Sequence, residues 1–315
     1  MRDQINTIKN IFSVAGYENN LTSFIMDEIK AYGDECYTDK LGNLIFHKKG
    51  NGEKLLINVP VSSNGLFISY ITDDGKAKIK TIGNLESKNI LGKKVRDNNG
   101  ENIGIIMADK KDVNDEDDLY IDFGVFNKED VTVKVGDILE ITEECFLIGE
   151  NIYGYDLGRA LNILSHIDII KSLKTDYDLY YAFTVMDNIG FKGAKTAAFS
   201  IDPDIAITCF LSYTDLEETE VKINKGAVVR IKDSHIIVNK KLRDAFIKKL
   251  SDKNLSYQIE ILTKDGLTNN EIMYLNHGIL TANVNIPVKG KESNVECVNI
   301  SDFENYKKCI LEIVR

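Results

Sequence analysis

From about residue 66 to residue 148 the chain breaks into short strand-like runs: LFISYITDDGKAKIKTIG, NILGKKVRDNNGENIGIIMAD, DLYIDFG and VKVGDILEITEE. Asp-Gly and Asn-Gly pairs separate them, and such pairs suit tight hairpin turns because both members accept a positive φ. On either side the period changes. LLINV, DLYYAFTVM, DIAITCFLS, SYQIEIL and ANVNIP read as strands of a sheet. They alternate with helical stretches such as DLGRALNILSHIDIIKSL, FKGAKTAAFSI, KKLRDAFIKKLSDKN and SDFENYKKCILEIV. In the first of these, Leu161, Leu164, Ile167 and Ile170 recur at helical spacing. An alternation that stops and then resumes predicts one α/β domain, residues 1–66 and 149–315, carrying an inserted β-rich module at 67–148.

With 315 residues, 43% of them hydrophobic, the chain can bury a substantial core, which excludes global disorder. The net charge of −10 comes from 49 acidic and 39 basic residues, and the lysines are dispersed. No basic face forms, so no nucleic-acid partner is expected. No run approaches the ~18 apolar residues of a membrane span, and none is expected to enter a membrane. The five cysteines are far apart and make no CxxC or CxxH pair, which argues against a zinc knuckle or a disulfide framework. MRDQINTIKNIF lacks the apolar core of a signal peptide, so a cytoplasmic location is expected.

The run LLINVPVSSNG (55–65) has the form of a buried strand ending at an active-site edge. Yet Pro60, Ser62 and Ser63 stand there, with no metal ligand and no general base. No GxSxG elbow surrounds the serines. His47, His166, His235 and His277 are too far apart in sequence to pair as ligands, and are read as surface or supporting residues. GFKGAK is glycine-rich before a helix, and packing is preferred to phosphate binding as its purpose.

Several strings resemble the tetrahedral-type di-zinc aminopeptidases, also described as glutamyl aminopeptidases or endoglucanase-like proteins. They are TDKLGNLI (38–45), SNGLFISYITDDG (63–75), DLYIDFGVFNKEDVTVKVGD (118–137), NIGFKGAKTAAFSIDPDIAI (188–207) and HGILTANVNIP (277–287). The resemblance implies a zinc-aminopeptidase-type three-layer α/β/α domain with an inserted small β-barrel-like dimerisation domain, and assembly into hollow dodecamers. It also implies a site for two zinc or cobalt ions. Residue by residue, that site is altered. Pro60 stands at the family's histidine ligand and Ser62 at the aspartate that supports it. If Arg159 keeps its place, Leu157 occupies the bridging-aspartate position, with Asp156 one residue away. Asp187 and Asn188 replace the Glu-Glu pair that supplies the general base and a ligand. Phe210 replaces an aspartate ligand and Glu292 the last histidine.

The expectation is a catalytically degenerate homologue without a cofactor. It would act as a structural or regulatory subunit, oligomerising with itself or an active relative, or would bind peptides or small molecules in the vacated pocket. Asp187 is the one remnant catalytic candidate. The alternative is an active metallo-aminopeptidase, or another hydrolase, with a site rebuilt around Asp156, Asp187 and Glu292.

Overall fold

The computed structural model describes residues 1–264, 269–291, 293 and 295–315. Helices α1 (Arg2–Lys9) and α2 (Asn19–Ile29) lead into strands β1 (Glu35–Thr38), β2 (Leu44–Lys48) and β3 (Lys54–Pro60). The inserted stretch supplies β4 (Gly65–Ile71), β5 (Lys76–Ile82), β6 (Lys94–Arg96), β7 (Asn102–Ala108), β8 (Leu119–Asp122) and β9 (Ile138–Thr142), with one helical turn, α3 (Ser87–Ile90). These six strands close into a barrel in the order β4-β5-β8-β7-β6-β9. Its interior is filled by alternate apolar residues, among them Leu66, Ile68, Ile79, Val95, Ile106, Ile121 and Leu139.

The hairpin β10 (Phe146–Ile148) and β11 (Asn151–Gly154) returns the chain to the larger domain. There α4 (Leu157–Ser172), β12 (Asp178–Thr184), α5 (Lys192–Ile201), β13 (Ile205–Tyr213) and β14 (Ala227–Lys232) follow. The rest is α6 (Lys240–Asp252), β15 (Tyr257–Ile261), α7 (Asn269–Met273), β16 (Leu280–Val288), β17 (Glu296–Asn299) and α8 (Ile300–Ile313). An eight-stranded sheet runs β1-β2-β12-β3-β13-β16-β14-β15. Its four central strands, β12, β3, β13 and β16, are parallel, and their apolar runs are buried on both faces. Residues of α1, α2, α4, α6 and α8 share one core with one face of the sheet. Small residues of α5 (Ala194, Ala197, Ala198) pack with Leu56, Ala182 and Ala206 on the other. The three-layer α/β/α architecture with an inserted barrel follows.

Two local features position the site. Strands β3 and β13 pair only as far as Asn58 and Thr208, and beyond that point they separate. Pro60 ends β3 just past the separation, where its missing N–H costs no bond to β13. At the start of α5, a Cβ on Gly193 would lie 2.2 Å from the Val185 carbonyl oxygen and 2.5 Å from Asn43 Oδ1. The glycine of GFKGAK thus lets the helix meet the end of β12, a packing purpose.

Candidate functional site

A cavity of about 400 Å³ opens at the carboxyl ends of the central strands, between the larger domain and the barrel. Open α/β sheets place ligands at this end. Pro60 and Phe210 flank the separation of β3 and β13, and Ser62, Asp156, Asp187 and Asn188 line the same space. Six of the eight positions singled out in the sequence therefore meet in one cavity.

Leu157 does not join them. It is fully buried in the main core, as the first residue of α4 turned toward the sheet. Asp156, with φ +49°, takes the place facing the cavity, as a helix-start shift of about 100° per residue allows. This corrects the pocket assignment of Leu157. Glu292 lies outside the described residues.

Asp187 and Glu296 are held by backbone N–H groups and neutral hydroxyls, whereas Asp156 pairs with Arg159 and Glu86 at the rim with Lys88. Asp187, 3% exposed, accepts from the Thr184 hydroxyl and from the Ala194 N–H at 3.0 Å. Burial, with the nearby Glu18 carboxylate adding to it, pushes its pKa up to about 6. Asn188 Nδ2 donates to the Ser63 carbonyl at 2.7 Å and to Asn64 Oδ1 at 3.1 Å, while its own buried Oδ1 has no donor. Asp156 accepts from Arg159 Nε at 2.5 Å. Backbone strain gathers here: Asp156, Met186 and Phe191 all have positive φ without being glycine or asparagine.

Sequence reasoning missed several partners. Glu296 lines the cavity, accepting from the Gly158 N–H at 2.7 Å and the Tyr213 hydroxyl at 2.9 Å. Its pKa is raised by burial and then by Asp156. Glu18 lies behind Ser62, accepting its hydroxyl at 2.6 Å together with the N–H groups of Met186 and Gly16, each at 2.8 Å. Nothing local in the sequence marks either acid, because each meets its partners only through the fold.

A buried network joins the barrel to this cavity. Arg96 of β6 and Glu140 of β9 form an ion pair, 3% and 2% exposed. Arg96 Nε donates to Glu140 at 2.9 Å and its Nη2 donates to the Lys9 carbonyl at 2.7 Å. The other Glu140 oxygen accepts from the Ser63 hydroxyl and, at 3.3–3.4 Å, from the N–H and hydroxyl of Ser13. Arg159 Nη1 then donates to the Ser13 hydroxyl at 3.2 Å and to the Val61 carbonyl at 3.1 Å.

The histidines stay apart. His47 bonds Asp178 at 2.7 Å and His166 bonds the Tyr306 hydroxyl at 2.9 Å. Both are buried, so the surface reading holds only for His235 and His277. Among the described residues, no helix is long and apolar enough to cross a membrane.

The sequence model of the M42 glutamyl aminopeptidases matches residues 42–309. A protein of Acetivibrio thermocellus that bears an aminopeptidase name is 32% identical over 326 residues, covering 100% of this chain and 98% of its own. The lysyl aminopeptidase of Pyrococcus furiosus is 26% identical, covering 93% of this chain and 90% of its own. Among solved structures, the TET1 peptidase of Pyrococcus horikoshii superposes with a TM-score of 0.89 at 26% identity, covering 99% of this chain and 98% of its own. An aminopeptidase of Desulfurococcus kamchatkensis reaches a TM-score of 0.92 at 24% identity, covering 99% and 94%.

These relatives overturn the expectation of no cofactor, since homologues of this family bind divalent zinc or cobalt. The donors that the described residues bring to the cavity do not fit such a metal pair. Proline and phenylalanine offer no side-chain donor at positions 60 and 210, both Asp187 oxygens already accept bonds, and Asn188 offers only a neutral carbonyl oxygen in place of a carboxylate. Among the described residues, no three His, Cys, Asp or Glu side chains are grouped to hold an ion. With the family match spanning most of its length and the fold agreeing throughout, the chain belongs to the M42 glutamyl aminopeptidase family.

Proposed function

We propose that this chain is a catalytically degenerate member of the family, which binds small molecules or peptides in its cavity without hydrolysing them. The observation that carries this reading is the lining. Pro60 and Phe210 line the cavity where the resemblance puts metal ligands, and Asp187, where it puts the general base, is tied to Thr184 and Ala194. A base must be free to approach a water molecule and take its proton, and both oxygens of this carboxylate already accept bonds.

A specific observation favours a second reading, an active peptidase. The Asp187 carboxyl, pushed up to about 6, lies in the range of a working general base. One assay separates the two: release of p-nitroaniline from acidic, basic and apolar amino-acid anilides, with zinc or cobalt supplied. Background rates, unchanged in Asp187→Ala, are expected. Metal-dependent cleavage that disappears in that variant would establish the active reading.

Self-assembly is part of the proposal. It draws on the Pyrococcus horikoshii relative, which can assemble into a tetrahedron or a large octahedral shell. Sedimentation showing only monomer at micromolar concentration would exclude it. A cytoplasmic site of action suits the five free cysteines.

A further inference from the structure

We propose that residues 84–89 form a strap that gates the cavity, held closed by an amide clasp between Asn188 and Asn64. The inference goes beyond the binding reading above, and it stands whether or not the bound molecule is hydrolysed. Strands β4 and β5 pair as far as Gly65 and Ile82. One step further stand Asn64 and Gly83, and there the strap leaves the barrel to line the cavity with Asn84, Leu85, Glu86 and Asn89. Ile90, 1% exposed, anchors its far end in the barrel core. Gly83 supplies the hinge. Its φ of +82° lies where glycine passes easily between backbone wells that other residues avoid.

The larger domain meets this hinge through Asn188, in the turn that follows β12. Asn188 Nδ2 donates to the Ser63 carbonyl at 2.7 Å and to Asn64 Oδ1 at 3.1 Å. The amide pair lies against the hinge itself, since a Cβ at Gly83 would stand 2.0 Å from Asn64 Oδ1 and 3.0 Å from Asn188 Nδ2. A side chain at position 83 would leave no room for the clasp. The closed clasp is also incompletely satisfied. Asn188 Oδ1 is buried without a donor, and such an acceptor gains a partner when water reaches it. Release of the strap exposes that oxygen, so the bonds formed on closing are offset by an acceptor left dry. Opposed terms of this kind keep the open and closed positions close in free energy, which a gate requires.

The test is thiol trapping on the full chain in a Cys36→Ser background, because the other four cysteines are buried. Ser62→Cys places a reporter thiol in the cavity, and neutral dithiodipyridine reacts with it by disulfide exchange at a rate limited by access. That rate should be at least tenfold below the rate of Lys248→Cys, exposed on α6. Asn188→Ala removes the donor of the clasp. It should speed the cavity thiol at least tenfold while the fully buried Cys209 and Cys309 stay unreactive. Gly83→Ala, whose Cβ displaces the Asn64 amide, should do the same. Phe210→Cys is a second cavity reporter, and it serves alone if Ser62→Cys fails to fold. A cavity thiol as reactive as the exposed one, or a rate unchanged in Asn188→Ala, would overturn the proposal. Equal acceleration of Cys209 and Cys309 would overturn it too, because it marks opening of the whole fold. So would acceleration at Ser62→Cys without any at Phe210→Cys, which marks loosening beside Ser63 alone.

Discussion

Removing the carboxylate of Glu140 is expected to be among the most damaging single changes outside the apolar core. The side chain joins Arg96, Ser63 and Ser13, and both charged partners are almost wholly buried. In Glu140→Ala the Arg96 guanidinium stays buried with only the Lys9 carbonyl as partner at 2.7 Å. Stranding one member of a buried ion pair costs about 3–5 kcal/mol. The orphaned Ser13 N–H adds about 1 kcal/mol. For a chain of this length the unfolding entropy is about 0.7 kcal/mol per degree, so the melting temperature should fall by about 6–9 °C. Arg96→Ala should cost less, because Glu140 keeps its hydroxyl and N–H donors. The paired change Arg96→Met with Glu140→Leu should recover most of the loss, since it removes both charges together. Thermal and urea denaturation of the full chain measure all three. A loss below about 1 kcal/mol in Glu140→Ala would refute the reasoning and show that solvent reaches Arg96 when its partner is gone.

Two further predictions concern pH. The Asp187 carboxyl is raised from 3.8 to about 6, chiefly by burial, so the folded chain holds this proton more tightly than the unfolded one. Its contribution should lower stability as pH rises from about 4 to about 6, by about 3 kcal/mol at the upper limit, and stay constant above that. Thermal melts of Asp187→Asn from pH 4 to 8 should lack this component, and an identical pH profile in the variant would contradict it. His166 has the opposite sign of proton affinity. Burial lowers it from 6.5 to about 3, so the unfolded chain binds its proton first and stability should be lost as pH falls below about 6.5. His166→Gln should flatten that slope, and a slope equal to that of the unaltered chain would show that some other group carries it.

Much of the architecture is legible in the amino-acid sequence. Leu55–Val59 and Ala206–Leu211 announce central strands, because strands buried on both faces need apolar residues in succession. The Asp-Gly and Asn-Gly turns mark the barrel segment, because few residues accept the dihedral angles of a tight hairpin. Pro60, Ser62, Asp187, Asn188 and Phe210 are placed together only through the resemblance to the di-zinc aminopeptidases, and the fold gathers them in one cavity. The strands and turns are local properties, carried by periods of two and 3.6 residues and by turn dihedral angles. The tertiary structure decides what depends on distant contacts or on a single dihedral angle. A left-handed φ at Asp156 puts that acid in the cavity and Leu157 in the core. Strand order brings Glu296 beside Gly158 and Tyr213, and barrel closure brings Glu140 to Ser13, 127 positions earlier in the chain. No local period records such meetings, because the free energy of a buried carboxylate depends on which donors the fold delivers to it.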